Sequence, residues 1–306
     1  MNMNDRQPPF SGIRTFLGLE HRREAVGDRH HVIAGIPFDL GTSNRCGQRL
    51  GPAAVRDASM MLIDNDNPRF RIDPTGSLRL VDWGDFDIAL GDKESSLSMI
   101  ENQARACPGD HLIAIGGDHT ISLPLLRALK QRCGPLALVH FDAHLDTWPE
   151  NFGARPAHGT PIRHAIEERL ISPRHSLQIG IRSPVDNDVM DWTLDQGLTV
   201  ITAEAVHFTQ PADIVQQIVT RVGQHAAYLS LDIDVLDPSQ APGVGTPEIG
   251  GLWSWQLVSI LNGLSQVRWR GMDCVEVVPA YDSAQITALA AATFIWIYLS
   301  MLAFKK

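Results

Sequence analysis

Phe141-Asp142-Ala143-His144-Leu145-Asp146, followed ninety residues on by Ser230-Leu231-Asp232-Ile233-Asp234, sets five metal-type ligands at alternate positions. In extended backbone, residues i, i+2 and i+4 point to the same side. Asp142, His144 and Asp146 are therefore expected to project together, and Asp232 and Asp234 likewise. Each segment follows a short apolar run, residues 136–141 and 227–231, that reads as a buried strand. A third run, 112–115, ends in Gly116-Gly117-Asp118-His119. Five such side chains on two strand ends make poor core and poor generic surface, but a good cradle for one or two divalent cations.

Outward from these runs the same rhythm continues. Strands are expected over 31–36, 78–82, 112–115, 136–141, 176–181, 199–202, 227–231 and 271–277. Helices are expected over 53–62, 93–106, 123–131, 161–170, 212–222, 255–264 and 286–304. Such alternation implies an α/β protein, a mostly parallel sheet with helices on both faces. No Ser/Gly-rich linker or internal repeat divides it, so 1–306 reads as one domain, with about 1–12 as a flexible arm. In open sheets of this kind ligands bind outside the carboxyl ends of strands. His119, the DAHLD segment and the DID pair all fall there.

Composition sets outer bounds. The 306 residues are 44% hydrophobic and 20% charged, as in a soluble globular protein. A net charge of −9 argues against nucleic acid and anionic membrane as partners and suits a cationic ligand. Cys46, Cys107, Cys133 and Cys274 are scattered and read as reduced thiols of a cytoplasmic protein. The polar, Pro-containing MNMNDRQPPF is no signal peptide. Residues 286–304 run 19 positions without a charge, near the length of a membrane span. Their Ala and Thr content, and their start in a motif-bearing loop, favour a helix buried on the sheet or in a subunit contact.

The candidate ligands are His119, Asp142, His144, Asp146, Asp232 and Asp234. Four carboxylates and two imidazoles, without a thiolate, suit a harder ion such as Mn²⁺ over a closed structural Zn²⁺ site. Fe, Co, Ni and Zn remain open on this ground. Six donors exceed what one ion with a water position needs. Two ions bridged by Asp142 and Asp232 fit better, and two close cations let four carboxylates stay ionised side by side.

Taken together, these segments resemble the ureohydrolase (arginase/agmatinase) family. The similarity continues in Gly243-Val244-Gly245-Thr246-Pro247, Gly250-Gly251-Leu252 and Glu276-Val277-Val278-Pro279-Ala280-Tyr281-Asp282. It extends to Gly41-Thr42-Ser43 and Gly51-Pro52-Ala53-Ala54-Val55-Arg56, and so covers nearly the whole chain. The resemblance implies a three-layer α/β/α arginase-type fold, a homo-oligomer (trimer or hexamer) and two Mn²⁺ ions. One ion would sit on His119, Asp142, Asp146 and Asp232, the other on Asp142, His144, Asp232 and Asp234. It further implies hydrolysis of a small guanidino compound to urea and an amine. His158, in Ala157-His158-Gly159-Thr160, matches the family's proton-shuttling histidine, and Glu276 its guanidinium-binding carboxylate. Asp118 and Asp237 read as groups that fix loops behind the ligands. The glycines of 243–251 lack a phosphate-loop pattern and suit tight turns at the rim.

The loop 147–156 does not carry the arginase pattern for an amino acid's α-groups and looks more like the agmatinase side. Agmatine, giving putrescine and urea, is the expected substrate, with Glu150 or Asn151 meeting its far amine. The alternative is a guanidino acid (4-guanidinobutanoate or 3-guanidinopropanoate) whose carboxylate Arg155 would meet. A non-catalytic member of the family is disfavoured by the presence of every expected ligand.

Overall fold

The computed structural model describes residues 10–23, 31–63 and 66–304, so most of the expected N-terminal arm lies outside the described residues. Eight strands are formed: β1 (His31–Gly35), β2 (Leu80–Asp85), β3 (His111–Ile115), β4 (Ala137–Phe141), β5 (Leu177–Ile181), β6 (Thr199–Thr202), β7 (Ala226–Asp232) and β8 (Arg268–Val275). They make one sheet in the order β2-β1-β3-β8-β7-β4-β5-β6. Every neighbouring pair is parallel, where the sequence led us to expect mostly parallel.

Parallel strands buried on both faces need apolar side chains at every position, which is why they appear in the sequence as unbroken runs. Ile113 and Ile115 of β3 join Val139, Phe141, Leu229 and Leu231 in one core. Ala114, between them, joins Ala34, Leu97 and Leu125 on the opposite side. The helices Gly51–Ser59, Pro211–Val222, Ser254–Asn262 and Ile286–Phe304 cover the first face through residues such as Val55, Ile214, Leu257 and Phe294. Lys93–Ala106, Ser122–Cys133 and Pro161–Glu167 cover the second. The result is a three-layer α/β/α arrangement.

By length and composition Ile286–Phe304 could cross a membrane, with a mean hydropathy of 1.9, yet 67% of that stretch is buried inside the fold. Phe294, Ile295, Tyr298 and Leu299 lie in the main core, and the Tyr298 ring meets Trp269 edge-on at 5.9 Å. Each such side chain contributes about 1.5–3 kcal/mol by leaving water. The Asp282 carboxylate opens the helix, accepting the N–H groups of Thr287 and Ala288 at 2.9 Å each. Three short helices, Pro74–Ser77, Asn187–Asp195 and Ala203–His207, were not expected from the sequence.

Chain order and sheet order differ in a way that builds the site. β1 to β3 make one half of the sheet and β4 to β6 the other, and the last two strands fill the gap between β3 and β4. The carboxyl ends of β3, β8, β7 and β4 thus stand side by side in the middle of the sheet, where the switch-point rule places ligands.

Candidate metal centre and active site

Each of those four ends delivers a candidate residue. β3 runs into Gly116-Gly117 and a 3₁₀ turn beginning at His119, with Asp118 accepting the N–H of Thr120 at 2.9 Å and of Gly41 at 2.7 Å. A side chain at position 117 would sit 1.8 Å from the Phe38 carbonyl oxygen, so only glycine fits. β4 ends at Phe141, and Asp142 to Asp146 leave it in irregular backbone, Asp146 having φ 54°. Asp232 is the last residue of β7, and Ile233–Val235 is a 3₁₀ turn in which the Asp234 N–H donates to Asp232 Oδ1 at 2.8 Å. The expected extended geometry is therefore replaced by turns. The side chains still converge, because backbone curling over a strand end turns them toward one point.

His119 Nδ1 lies 2.9 Å from Asp146 Oδ2, 3.2 Å from Asp142 Oδ2 and 3.3 Å from Asp232 Oδ2. His144 Nδ1 lies 3.0 Å from Asp234 Oδ2 and 3.2 Å from Asp142 Oδ1. Asp142 thus turns one oxygen to each group. His119 Nδ1 and Asp142 Oδ2 are buried without a hydrogen-bond partner, although oxygens and nitrogens crowd around them. Donor atoms about 3 Å apart and not hydrogen-bonded are what neighbouring ligands look like around a cation with bonds of about 2.1 Å.

The far side of His119 fixes its proton. Ser230 Oγ donates to Asp273 Oδ1 at 2.7 Å, so toward His119 Nε2, 2.9 Å away, it accepts. The imidazole proton therefore sits on Nε2 and the Nδ1 lone pair faces the carboxylates, as a ligating histidine requires. Asp273 also accepts the hydroxyls of Ser122 (2.7 Å) and Tyr228 (2.8 Å). Burial, reinforced by Asp234 and Asp142, pushes the Asp232 carboxyl well above the carboxylate range, and burial raises Asp234 too. Two bound cations relieve that crowding. The residues fit a binuclear centre.

His158 stands beside it. Its Nδ1 donates to Glu276 Oε1 at 3.2 Å, and its Nε2 lies 2.7 Å from Ser43 Oγ and 3.1 Å from the Ser43 backbone nitrogen. Glu276 Oε1 also accepts the His119 N–H (2.9 Å) and Oε2 accepts Gln48 Nε2 (2.8 Å). Glu276 has φ 69°, a strained conformation that aims it back under the centre. A Cβ at Gly245 would come within 2.6 Å of Gln48 Nε2 and 3.2 Å of Glu276 Oε2, so this rim glycine lets the loop close over both. Burial acts to lower the His158 pKa, but the Glu276 hydrogen bond and charge outweigh it and hold it at about 9. Glu276 is only 1% exposed; burial opposes its charge, but His158, the His119 N–H and Gln48 keep it below the usual value.

A cavity of 580 Å³ opens above the cluster, lined by His119, His144, Asp146, His158 and Asp232 at its base. Its mouth carries Glu150, Asp186 and Glu248 against one cation, Arg45, whose guanidinium lies 4.7 Å from the centre of the Tyr281 ring.

Residues 29–300 match the sequence profile of the arginase family. The chain belongs to that family. An agmatinase of Edwardsiella ictaluri (strain 93-146) is 43% identical over 283 residues, 92% of this chain and 90% of the relative. The solved proclavaminate amidino hydrolase from Streptomyces clavuligerus superposes with a TM-score of 0.93 at 35% identity, covering 98% of this chain and 100% of that one. A hypothetical agmatinase from Burkholderia thailandensis gives 0.90 at 38% identity, covering 97% and 92%. The arginase family is binuclear-metal dependent, in keeping with the paired His/Asp groups found here.

Several residues of this arginase-family site escaped the sequence reading. Arg182 follows β5 directly, and its guanidinium donates to the carbonyls of Asp234 (2.7 Å) and Glu248 (2.8 Å), tying two site loops together. The strand-end rule applied to β5 would have flagged it. Glu248 accepts Ser183 Oγ at 2.9 Å. Gln48, His140, Gln178 and Asp273 lie within apolar or featureless stretches and gave no signal. Asp237 pins its loop by accepting the N–H groups of Ser239, Gly250 and Gly251, as expected. Arg155 does not line the cavity. Its Nε lies 3.9 Å from Oε2 of Glu150 at the cavity mouth, and it borders a separate depression of 180 Å³.

Proposed function

We propose that the chain hydrolyses agmatine to putrescine and urea at a centre of two Mn²⁺ ions, one held by His119, Asp142, Asp146 and Asp232 and the other by Asp142, His144, Asp232 and Asp234. When bound, such ions supply Lewis acidity and lower the pKa of water toward neutrality. His158, anchored on Glu276, whose hydrogen bond and charge raise its pKa against burial, faces the cavity and hands its proton to the departing amine. Glu276 has three donors on a group with about four acceptor positions, and we assign the remaining position to the guanidinium.

The observation that carries the substrate assignment is the acidic mouth of the cavity. Three carboxylates favour an ammonium tail over a carboxylate tail, and the one cation present is already placed over an aromatic ring. The 43% identical agmatinase supports the same reading. The test is urea release by the Mn²⁺-loaded protein from agmatine, 4-guanidinobutanoate, 3-guanidinopropanoate and arginine. Agmatine is expected to lead by more than about tenfold in kcat/KM, a margin of about 1.4 kcal/mol. Faster turnover of a guanidino acid would overturn the substrate, and urea from none of the four would overturn the enzyme.

A further inference from the structure

Both ring nitrogens of His158 are taken. Nδ1 donates to Glu276 Oε1 at 3.2 Å, while Nε2 lies 2.7 Å from Ser43 Oγ and 3.1 Å from the Ser43 nitrogen. The histidine is only 8% exposed, whereas Ser43 stands exposed on the cavity wall. A proton leaving Nε2 therefore meets Ser43 before it meets anything in the cavity. The loop that carries Ser43 is fixed against the histidine. Gly41, two residues earlier, gives its carbonyl to the His158 N–H at 3.1 Å and its own N–H to Asp118 Oδ2 at 2.7 Å. A Cβ at position 41 would collide with Thr120 Oγ1, so this close approach needs glycine. Beyond Ser43, the buried Asp39 carboxylate accepts the Gly47 N–H at 3.1 Å and Arg49 Nε at 2.6 Å. The loop is thus tied on both sides of Ser43. A serine also offers His158 what each state of the ring needs. Its oxygen accepts from a protonated Nε2, and its N–H and O–H donate to a deprotonated one.

We infer that the Ser43 hydroxyl is a catalytic relay that passes the proton of His158 to the departing amine. As the guanidino C–N bond breaks, its electron pair goes to the departing nitrogen, which takes the Ser43 hydroxyl proton. The Nε2 proton of His158 replaces it on Oγ. Serine ends as it began, His158 ends neutral, and a proton from solvent restores it for the next turnover. The relay rests on the donor role proposed above for His158.

The test measures kcat and bound Mn²⁺ for the Mn²⁺-loaded full chain, on whichever of the four guanidines the parent turns over fastest. Ser43→Ala removes the hydroxyl and leaves the backbone N–H, while Ser43→Thr keeps both. Ser43→Ala is expected to lower kcat about 10²-fold, the lower end of what a positioned proton donor contributes, with its metal content unchanged. Ser43→Thr should recover that loss to within about threefold of the parent. A double variant separates a relay from a packing role. In a His158→Gln background the source of the proton is already gone, so adding Ser43→Ala should cost less than about threefold more. Unchanged or faster turnover in Ser43→Ala, beside a slowed His158→Gln, would mean that Nε2 reaches the amine directly and would overturn the relay alone. Ser43→Thr falling as far as Ser43→Ala, losses that multiply in the double variant, or a loss of metal that matches the loss of rate would overturn it too. Full turnover in His158→Gln would sink the donor role of His158 and the relay with it. A parent that favours a guanidino acid but shows this variant pattern would sink the substrate reading and leave the relay standing.

Discussion

Asp142→Ala or Asp232→Ala should empty the centre and abolish turnover, with losses well beyond the about 10–100-fold of an outer hydrogen-bond partner. Asp142 sends Oδ2 toward His119 and Oδ1 toward His144, so its loss strikes both halves of the cluster at once. Asp232 closes the His119 group from the neighbouring strand. The fold should survive Asp232→Ala, because burial, with Asp234 and Asp142 close by, opposes the Asp232 charge in the absence of cations. Metal-free Asp232→Ala should therefore melt no lower than the parent. Asp142 differs, since His140, His119 and His144 outweigh burial and hold its carboxyl well below the usual range, so metal-free Asp142→Ala should melt lower than the parent. Added Mn²⁺ at about a hundred times its dissociation constant should stabilise the parent by about 2.7 kcal/mol per site and the variants scarcely at all. Retention of two ions by either variant, or a large drop in metal-free melting for Asp232→Ala, would overturn the ligand assignment.

How much of this could be read from the chain alone depended on whether a feature was local. Runs such as 112–115 and 136–141 name their strands because both faces of a parallel strand are buried, and the ligands betray themselves by polarity at the end of apolar runs. The spacing argument found the right six side chains for a partly wrong reason. It assumed extended backbone through Asp146 and Asp234, where the structure has irregular backbone with Asp146 in the left-handed region and a 3₁₀ turn over Ile233–Val235. Sheet order was not legible, since nothing local tells β7 and β8 to insert between β3 and β4. Nor were the hydrogen-bond partners behind the ligands. Asp273, Ser230 and Gln178 acquire their roles from strands 40 or more residues distant, or from neighbours in the sheet. Arg155 shows the converse, a residue near the motif in sequence that the fold sets beside Glu150 at the mouth but outside the cavity lining.

Glu276→Gln tests the second half of the site at constant size. The carboxylate accepts from His158, the His119 N–H and Gln48, and an amide in its place turns an N–H toward one of those donors. That mismatch costs about 1–3 kcal/mol and is too small to unfold a domain with this core. The larger effect is on His158. Burial pulls its pKa down and Glu276 holds it at about 9, so removing the charge lets it fall. Below its pKa His158 carries the proton a leaving amine needs; above it the proton is gone. The alkaline limb of kcat should therefore move to lower pH in Glu276→Gln and vanish in His158→Gln. Bound cations lower the His158 pKa in parent and variant alike, so the displacement between the two profiles is the quantity to read. Turnover should fall by about 10²–10⁴-fold, the range a positioned proton donor contributes, with both ions still bound. A profile that keeps its alkaline limb in place, or a loss of metal that accounts for the lost rate, would sever the link between Glu276 and His158 on which this half of the mechanism depends.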